Sequence, residues 1–317
     1  MIQGSPQRTV RQETSLTPAG PLRRFLPALL VFLGALVMLY PVVSTVLNDA
    51  RQREVAQSYG LEVAQLAPDR LEKSWQEAQQ YNAGLDSAPI LDPWLSRVTP
   101  DSGPYRQYLQ QLNLSSVMGR LEIPKIKVDL PIFHGTSTQT LERGVGHLFG
   151  TSLPVGGKGT HSVLTGHSAL GTATLFDDLP QLQVGDKIHL QVAGKSLVYA
   201  VTGTQVVLPH ETEALGPQAG KDLITLITCT PFGVNTHRLL VTAERVPAGA
   251  DQVQALAQQA AEPGGLIGFF KNILSGPLWM KALSVVAGLA IIYAFIVVFS
   301  PFFAFLRRRR DKKQKVS

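Results

Sequence analysis

The chain has 317 residues, of which 44% are apolar and 16% are charged, and it contains one cysteine. A single cysteine cannot close an intramolecular bridge, so a disulfide-stapled scaffold is excluded. The formal net charge is +6, but residues 307–315 carry seven basic groups and one acidic group, which accounts for the whole excess. The basic balance therefore indicates a charged tail, and we expect no nucleic-acid partner.

Two apolar runs, residues 25–47 and 282–306, each have the roughly 20 residues that a helix needs to cross a bilayer. Basic residues precede the first run and follow the second, so the positive-inside rule predicts that both termini are cytoplasmic. This predicts a cytoplasmic N-terminus at 1–24, a two-pass cell-membrane topology, and a basic cytoplasmic tail at 307–317 that contacts anionic membrane lipid. A cleaved signal peptide is the alternative for the first run, which is long for one and lacks a clean cleavage site.

The outer segment begins with a helical region at residues 48–116. Apolar residues recur at three- and four-residue intervals over 48–85, with a break and restart at Pro68 and an end at Gly84. Residues 86–116 have weak periodicity and several turn formers, which indicates a loop with short helical pieces. This loop contains Asp92-Pro93-Trp94, which on its own is typical of a turn with a packed aromatic side chain.

Residues 117–247 have a different residue pattern, with short β-rich runs between turn residues. The runs lie at 119–126, 128–135, 160–167, 187–194, 195–208, 222–229 and 237–244. Seven or eight short strands in about 130 residues predict a mostly β fold, a closed or nearly closed barrel of about eight strands. Residues 248–281 are expected to form a helical or interfacial linker into the second apolar run.

Cys229 ends a β-branched run in the segment predicted to lie outside the cell. An odd cysteine there is either an intermolecular partner or a free thiol, and an inert buried cysteine is the alternative. A nucleophilic cysteine needs a group that favours its thiolate, usually a histidine. Among seven histidines, His167 follows a strand-like run and is favoured, His189 lies mid-strand as a structural alternate, and His237 is near Cys229 in sequence.

Arg238 begins the next predicted strand. A guanidinium there could hold a substrate carbonyl or carboxylate and stabilise an oxyanion, although an ordinary strand-end arginine is the alternative. The histidines show no ligand spacing, so no metal is expected. The glycine-rich stretch at 150–161 lacks the phosphate-loop pattern, so no cofactor is expected either.

Three separated motifs occur in order: LTGH at 164–167, TLITC at 225–229 and PFGVNTHRLL at 231–240. Together they strongly resemble the sortases, cysteine transpeptidases of the Gram-positive cell surface with a TLxTC cysteine, a TGH histidine and a following arginine. The stretch 146–170, the two apolar runs and the Asp-Pro-Trp motif resemble the pilus-assembling branch, class C. The resemblance implies a sortase-like barrel, with Asp92 and Trp94 at the tip of a lid over the active site.

The resemblance also implies a role for each residue of the site. Cys229 would be the nucleophile, His167 its proton-transfer partner and Arg238 the group that steadies the tetrahedral intermediate, with Thr228 in the substrate and oxyanion environment. The implied reaction cleaves an LPXTG-like sorting signal between Thr and Gly through a thioacyl-enzyme. A lysine amine of another pilin subunit then forms an isopeptide bond.

Two other functions stay open at this point. One is a housekeeping or hydrolytic sortase that anchors surface proteins to peptidoglycan or cleaves them. The other is a non-enzymatic, membrane-anchored binding barrel in which Cys229 is structural.

Overall fold

The computed structural model describes residues 21–85, 102–247 and 278–314. These residues divide into two compact units. One contains the described residues up to Tyr40 and those from Leu278 onward, and the other contains those from Pro41 to residue 247.

Five helices occur within the described ranges, and two of them are long. The helices are α1 (Pro21–Ala64), α2 (Pro68–Ala83), α3 (Gly103–Gln110), α4 (Thr138–Arg143) and α5 (Leu278–Gln314). Two stretches, Leu26–Ala64 in α1 and Met280–Ser300 in α5, are long and apolar enough to cross a membrane. The first contains nearly all of the 25–47 run and extends beyond it, and the second covers most of the 282–306 run.

The break predicted at Pro68 and the end predicted at Gly84 are both confirmed. α1 ends at Ala64, and α2 begins at Pro68 and is capped by Gly84. Proline fits the first helical turn, where its missing N–H would have no intrahelical partner. Asp69 lies in the same turn, where a negative charge complements the helix dipole.

Eight strands form one closed barrel, which confirms the predicted fold. The strands are β1 (Gly119–Ile123), β2 (Val128–His134), β3 (Val145–His147), β4 (Thr160–Thr165), β5 (Lys187–Val192), β6 (Lys195–Val207), β7 (Asp222–Thr230) and β8 (His237–Val246). Their order around the barrel is β1-β2-β3-β4-β7-β8-β6-β5, with parallel pairing between β2 and β3 and between β4 and β7. β3 is the strand that the sequence runs did not include.

Strand β7 is buried on both of its faces. Successive side chains of a strand point to opposite faces, and Ile224 and Leu226 belong to the main core inside the barrel. Ile227 instead joins a second apolar cluster on the outer face, which includes Leu215 from the β6–β7 connection. The connection therefore covers the outer face of the sheet beside the end of β7.

A buried ionic cluster lies between the barrel and α1. Arg120 of β1 donates to both carboxylate oxygens of Asp129, at 2.7 and 2.9 Å, and forms an ion pair with Glu122. Gln57 of α1 donates to Asp129 at 3.1 Å. Burial raises the pKa of Glu122 to about 7, although the Arg120 guanidinium acts in the opposite direction. The cluster ties α1 to the first two strands.

Candidate active site

The end of β7 lies between the two strands that carry the other predicted site residues. On one side Cys229 is the register partner of Arg238 at the start of β8. On the other side β4 runs parallel to β7, and their last register pair is Thr165 with Ile227. His167 follows two residues later, so it lies at the level of Cys229. The fold thus brings Cys229, His167 and Arg238 together at one end of the barrel.

Two side-chain hydrogen bonds attach the residues on either side of His167 to strand β7. The Thr228 hydroxyl donates to the Gly166 carbonyl at 2.8 Å, and the Ser168 hydroxyl donates to the Cys229 carbonyl at 2.7 Å. A Cβ at residue 166 would lie 2.7 Å from the Phe176 ring, so this position requires glycine. The histidine is therefore held from both sides by the strand that carries the thiol.

Thr228 and Ser168 extend the set of site residues. The Thr228 side chain is 1% exposed and its hydroxyl binds the His167 segment. Its assignment to the substrate environment stays a prediction. Ser168 did not stand out in the sequence, where its only signal is a hydroxyl directly after the TGH motif.

The three candidate histidines differ in position. His189 lies on β5, three strands away from β7 around the barrel, and is 6% exposed. His237 is the register partner of Thr230, at the same end of the barrel as Cys229, and its Nδ1 lies 2.9 Å from the Thr236 hydroxyl. The position of His189 removes it as a proton-transfer partner.

The electrostatics at His167 favour a neutral imidazole. Burial lowers the pKa of His167 below its ordinary value, whereas Glu142 of α4 acts in the opposite direction. A neutral imidazole can accept a proton, as a general base must. The Nη1 of Arg238 donates to the carbonyls of Asn235 and His237, both at 3.2 Å, so the guanidinium is held at the β7–β8 turn.

The thiol itself lies near the surface of the barrel end. Cys229 is 9% exposed, so it is largely buried but retains some access to solvent. A thiol beside a histidine and a cation is an arrangement suited to acyl transfer. The histidine can take and return protons, and the guanidinium can stabilise a developing oxyanion.

His161 is a second buried histidine with a defined structural role. Its Nδ1 lies 2.9 Å from the Gly216 carbonyl, and its Nε2 lies 2.7 Å from the Thr225 hydroxyl. Since a carbonyl can only accept, Nδ1 carries the proton and Thr225 donates to Nε2. His161 thus fastens the β6–β7 connection over the outer face of β7.

Two predicted site residues are not described. Asp92 and Trp94, assigned to a lid by resemblance, lie outside the described residues.

Comparisons with known proteins agree with this geometry. The profile of the sortase domain matches residues 121–246. Sortase A of Bacillus anthracis is 35% identical over 162 residues, which cover 51% of this chain and 71% of that protein. The solved structure of sortase C-1 from Actinomyces oris is 56% identical, with a TM-score of 0.55, and covers 56% of this chain and 99% of its own.

Sortase C from Streptococcus pneumoniae is a second similar structure. It is 40% identical, with a TM-score of 0.57, and the alignment covers 62% of this chain and 98% of that one. The profile match, the relatives and the barrel agree on one family and one enzyme type. The chain belongs to the sortase family of cysteine transpeptidases, and its structural neighbours identify it as a class C sortase.

Proposed function

We propose that this sortase polymerises pilins. The observation that supports this proposal is the convergence of Cys229, His167 and Arg238 at one barrel end, on β7, just beyond β4 and at the start of β8. His167 accepts the Cys229 thiol proton as the sulfur attacks the threonine carbonyl of the Thr–Gly bond in an LPXTG-like sorting signal, and the bond from that carbonyl to the glycine nitrogen breaks. His167 returns a proton to the departing glycine amine, which leaves a thioacyl-enzyme.

The second half of the reaction regenerates the thiol. A lysine amine of another pilin subunit attacks the thioester, His167 accepts its proton, and the carbon–sulfur bond breaks as the isopeptide bond forms. The Arg238 guanidinium stabilises the oxyanion of both tetrahedral intermediates. The attraction between a cation and a developing oxyanion is strongest where water is excluded. Thr228 holds the His167 segment in place through Gly166.

Two structural neighbours support a pilin substrate. One is a pilus-related sortase C of Group B Streptococcus, 38% identical with a TM-score of 0.56. The other is the Streptococcus pneumoniae sortase C, whose structure bears on pilin substrate specificity.

The test is a two-substrate assay with the full chain in detergent. The protein is incubated with an LPXTG peptide and a pilin that offers a lysine, and the product is sequenced by tandem mass spectrometry. An isopeptide bond between the threonine carboxyl and the lysine supports the proposal. Hydrolysis alone, or transfer only to a peptidoglycan amine, would identify a housekeeping or hydrolytic enzyme instead. The absence of any product would favour a non-enzymatic barrel.

We further propose that α1 and α5 anchor the enzyme in the cell membrane, with the barrel outside and both termini in the cytoplasm. Two apolar stretches of sufficient length support the anchoring, and the basic residues outside both runs support the orientation. A reporter fused after Ser317 is expected to be cytoplasmic, and one inserted near Gly249 external. An external C-terminus would overturn this topology.

The lid is a separate proposal. A similar structure is a lid mutant of sortase A from Corynebacterium diphtheriae, 47% identical with a TM-score of 0.55. Proline fixes its own φ and restricts the residue before it, so Asp92-Pro93-Trp94 suits a rigid tip. A lid over the thiol would compete with substrate, and apparent affinity would fall with the fraction of closed molecules.

Replacing Asp92 and Trp94 together with alanine is therefore expected to speed alkylation of Cys229 and to raise hydrolysis of a short LPXTG peptide. The measurement compares alkylation rates of the double variant and wild type at matched pH. Equal total labelling after unfolding is the control for thiol content. Equal rates in two folded proteins would show that this segment does not cover the thiol.

A further inference from the structure

The segment that follows His167 closes back on it. We call residues 168–177 the His167 loop. The Phe176 N–H donates to the His167 carbonyl at 3.0 Å, and the Ala169 N–H donates to the Asp177 carboxylate at 2.7 Å. Ala169 has a φ of 58°, in the left-handed region that a β-carbon disfavours. The loop thus needs outside contacts to hold its shape.

Helix α1 supplies such contacts through one short stretch. The Asn48 side-chain amide donates to the Thr172 carbonyl at 2.9 Å. Asp49 accepts two hydrogen bonds from a single residue, since the Thr174 N–H donates to Oδ1 at 2.9 Å and its hydroxyl to Oδ2 at 2.7 Å. The Thr45 hydroxyl donates mainly to the Pro41 carbonyl at 2.8 Å and lies 3.4 Å from the Gly171 carbonyl. Helix positions 45, 48 and 49 lie on one face.

These hydrogen bonds connect α1 to His167 through a few residues of the His167 loop. Thr174, held by Asp49, is two residues from Phe176, which binds the His167 carbonyl. A charged acceptor that takes two bonds from one residue fixes both its distance and its orientation. Proton transfer depends steeply on such placement. A loosened loop would therefore change the chemistry before it unfolds the barrel.

We infer that Asn48 and Asp49 are positioning residues for His167, so that α1 is part of the catalytic apparatus as well as the helix that leads out of the first apolar run. The inference rests on the proposed proton-transfer role of His167. It assigns to α1 a function separate from anchoring. A variant that keeps the barrel intact but lacks these contacts would be folded and would have a low rate of transfer.

The experiment uses the full chain in detergent with four variants. Asp49→Ala removes both bonds to Thr174, and Asp49→Asn keeps an acceptor for the Thr174 N–H. Thr174→Val removes one bond and leaves the Asp49 charge in place. Glu54→Ala removes an exposed acid from the same helix and is the matched control. Two readouts are measured: kcat and KM for transfer of an LPXTG peptide, and the titration of His167 by histidine-labelled NMR.

Asp49→Ala is expected to lower kcat about tenfold with little change in KM, because a displaced His167 slows the chemical step rather than peptide binding. Thr174→Val is expected to lower kcat by a smaller factor, and Asp49→Asn to recover part of the rate. In Asp49→Ala the pKa of His167 should move up toward its ordinary value as the loop loosens and burial decreases. Loss of the Asp49 charge alone would instead lower the pKa of His167.

Wild-type rates and wild-type His167 titration in both folded Asp49→Ala and Thr174→Val would overturn the inference. Should Asp49→Ala fail to fold, Thr174→Val and a fifth variant, Asn48→Ala, which removes the bond to the Thr172 carbonyl, decide by the same criteria. Should wild type not transfer the peptide at all, the proposed function fails, and the His167 titration still decides whether α1 positions the histidine.

Discussion

Replacing Cys229 with alanine should abolish both cleavage of an LPXTG peptide and formation of pilin polymers, while the barrel remains folded. The covalent route needs the sulfur, and its loss should lower the rate by about 10³-fold or more. The fold should persist because two of the contacts at this position use the backbone and do not need the sulfur. Ser168 binds the Cys229 carbonyl, and the register with Arg238 does not depend on the side chain.

The measurement is peptide cleavage by chromatography, with the melting temperature as the check on folding. Cys229→Ser is the matched variant, since it keeps the shape and a polar atom but is a much weaker nucleophile. The chain has one cysteine, so a thiol-reactive probe reports on Cys229 alone and counts active sites directly. Substantial cleavage by Cys229→Ala would rule out the cysteine mechanism.

The barrel and the central site residues could be predicted because their signals are local. Cys229 ends a β-branched run and Arg238 starts the next, and antiparallel neighbours joined by a short turn bring such ends together. The same reasoning from local sequence did not predict β3. That strand has three residues, including Gly146, and it exists because β2 and β4 offer pairing partners on its two sides.

Contacts between distant segments could not be predicted. The bond from Ser168 to Cys229 joins residues 61 positions apart, and those from Thr174 to Asp49 join residues 125 apart. Periodicity carries no information at such separations. In the sequence, Asp49 is only an acid that follows an apolar run, and nothing there indicates which loop it meets.

Arg120 is a second case in which the sequence does not reveal a contact between distant segments. Arg120 and Glu122 alternate with apolar residues along β1, a pattern typical of side chains that face solvent. In the structure both are buried, 8% and 7% exposed, and Gln57 of α1 donates to Asp129, the carboxylate that Arg120 binds. The pattern identifies the outward face correctly, but it does not reveal that a helix covers that face.

Arg120→Met is accordingly expected to destabilise the barrel by about 3–5 kcal/mol, because it leaves the buried Glu122 carboxylate and the partly buried Asp129 carboxylate without their cation. For a domain of this size that corresponds to a fall in melting temperature of about 6–20 °C. Lys125→Met removes an exposed basic residue just beyond the same strand and should change stability by less than about 0.5 kcal/mol. Melting followed by circular dichroism measures both.

The loss should also depend on pH, through Glu122. Its pKa is about 7 in the folded protein against an ordinary value of 4.5, so the folded state binds more protons between these values. Stability therefore falls as pH rises through this window. Without Arg120 the pKa of Glu122 rises further, so Arg120→Met should lose more stability at pH 8 than at pH 5. Adding Glu122→Gln to Arg120→Met should remove most of that difference. An equal loss at both pH values would mean that an unpaired Glu122 charge is not what destabilises the variant.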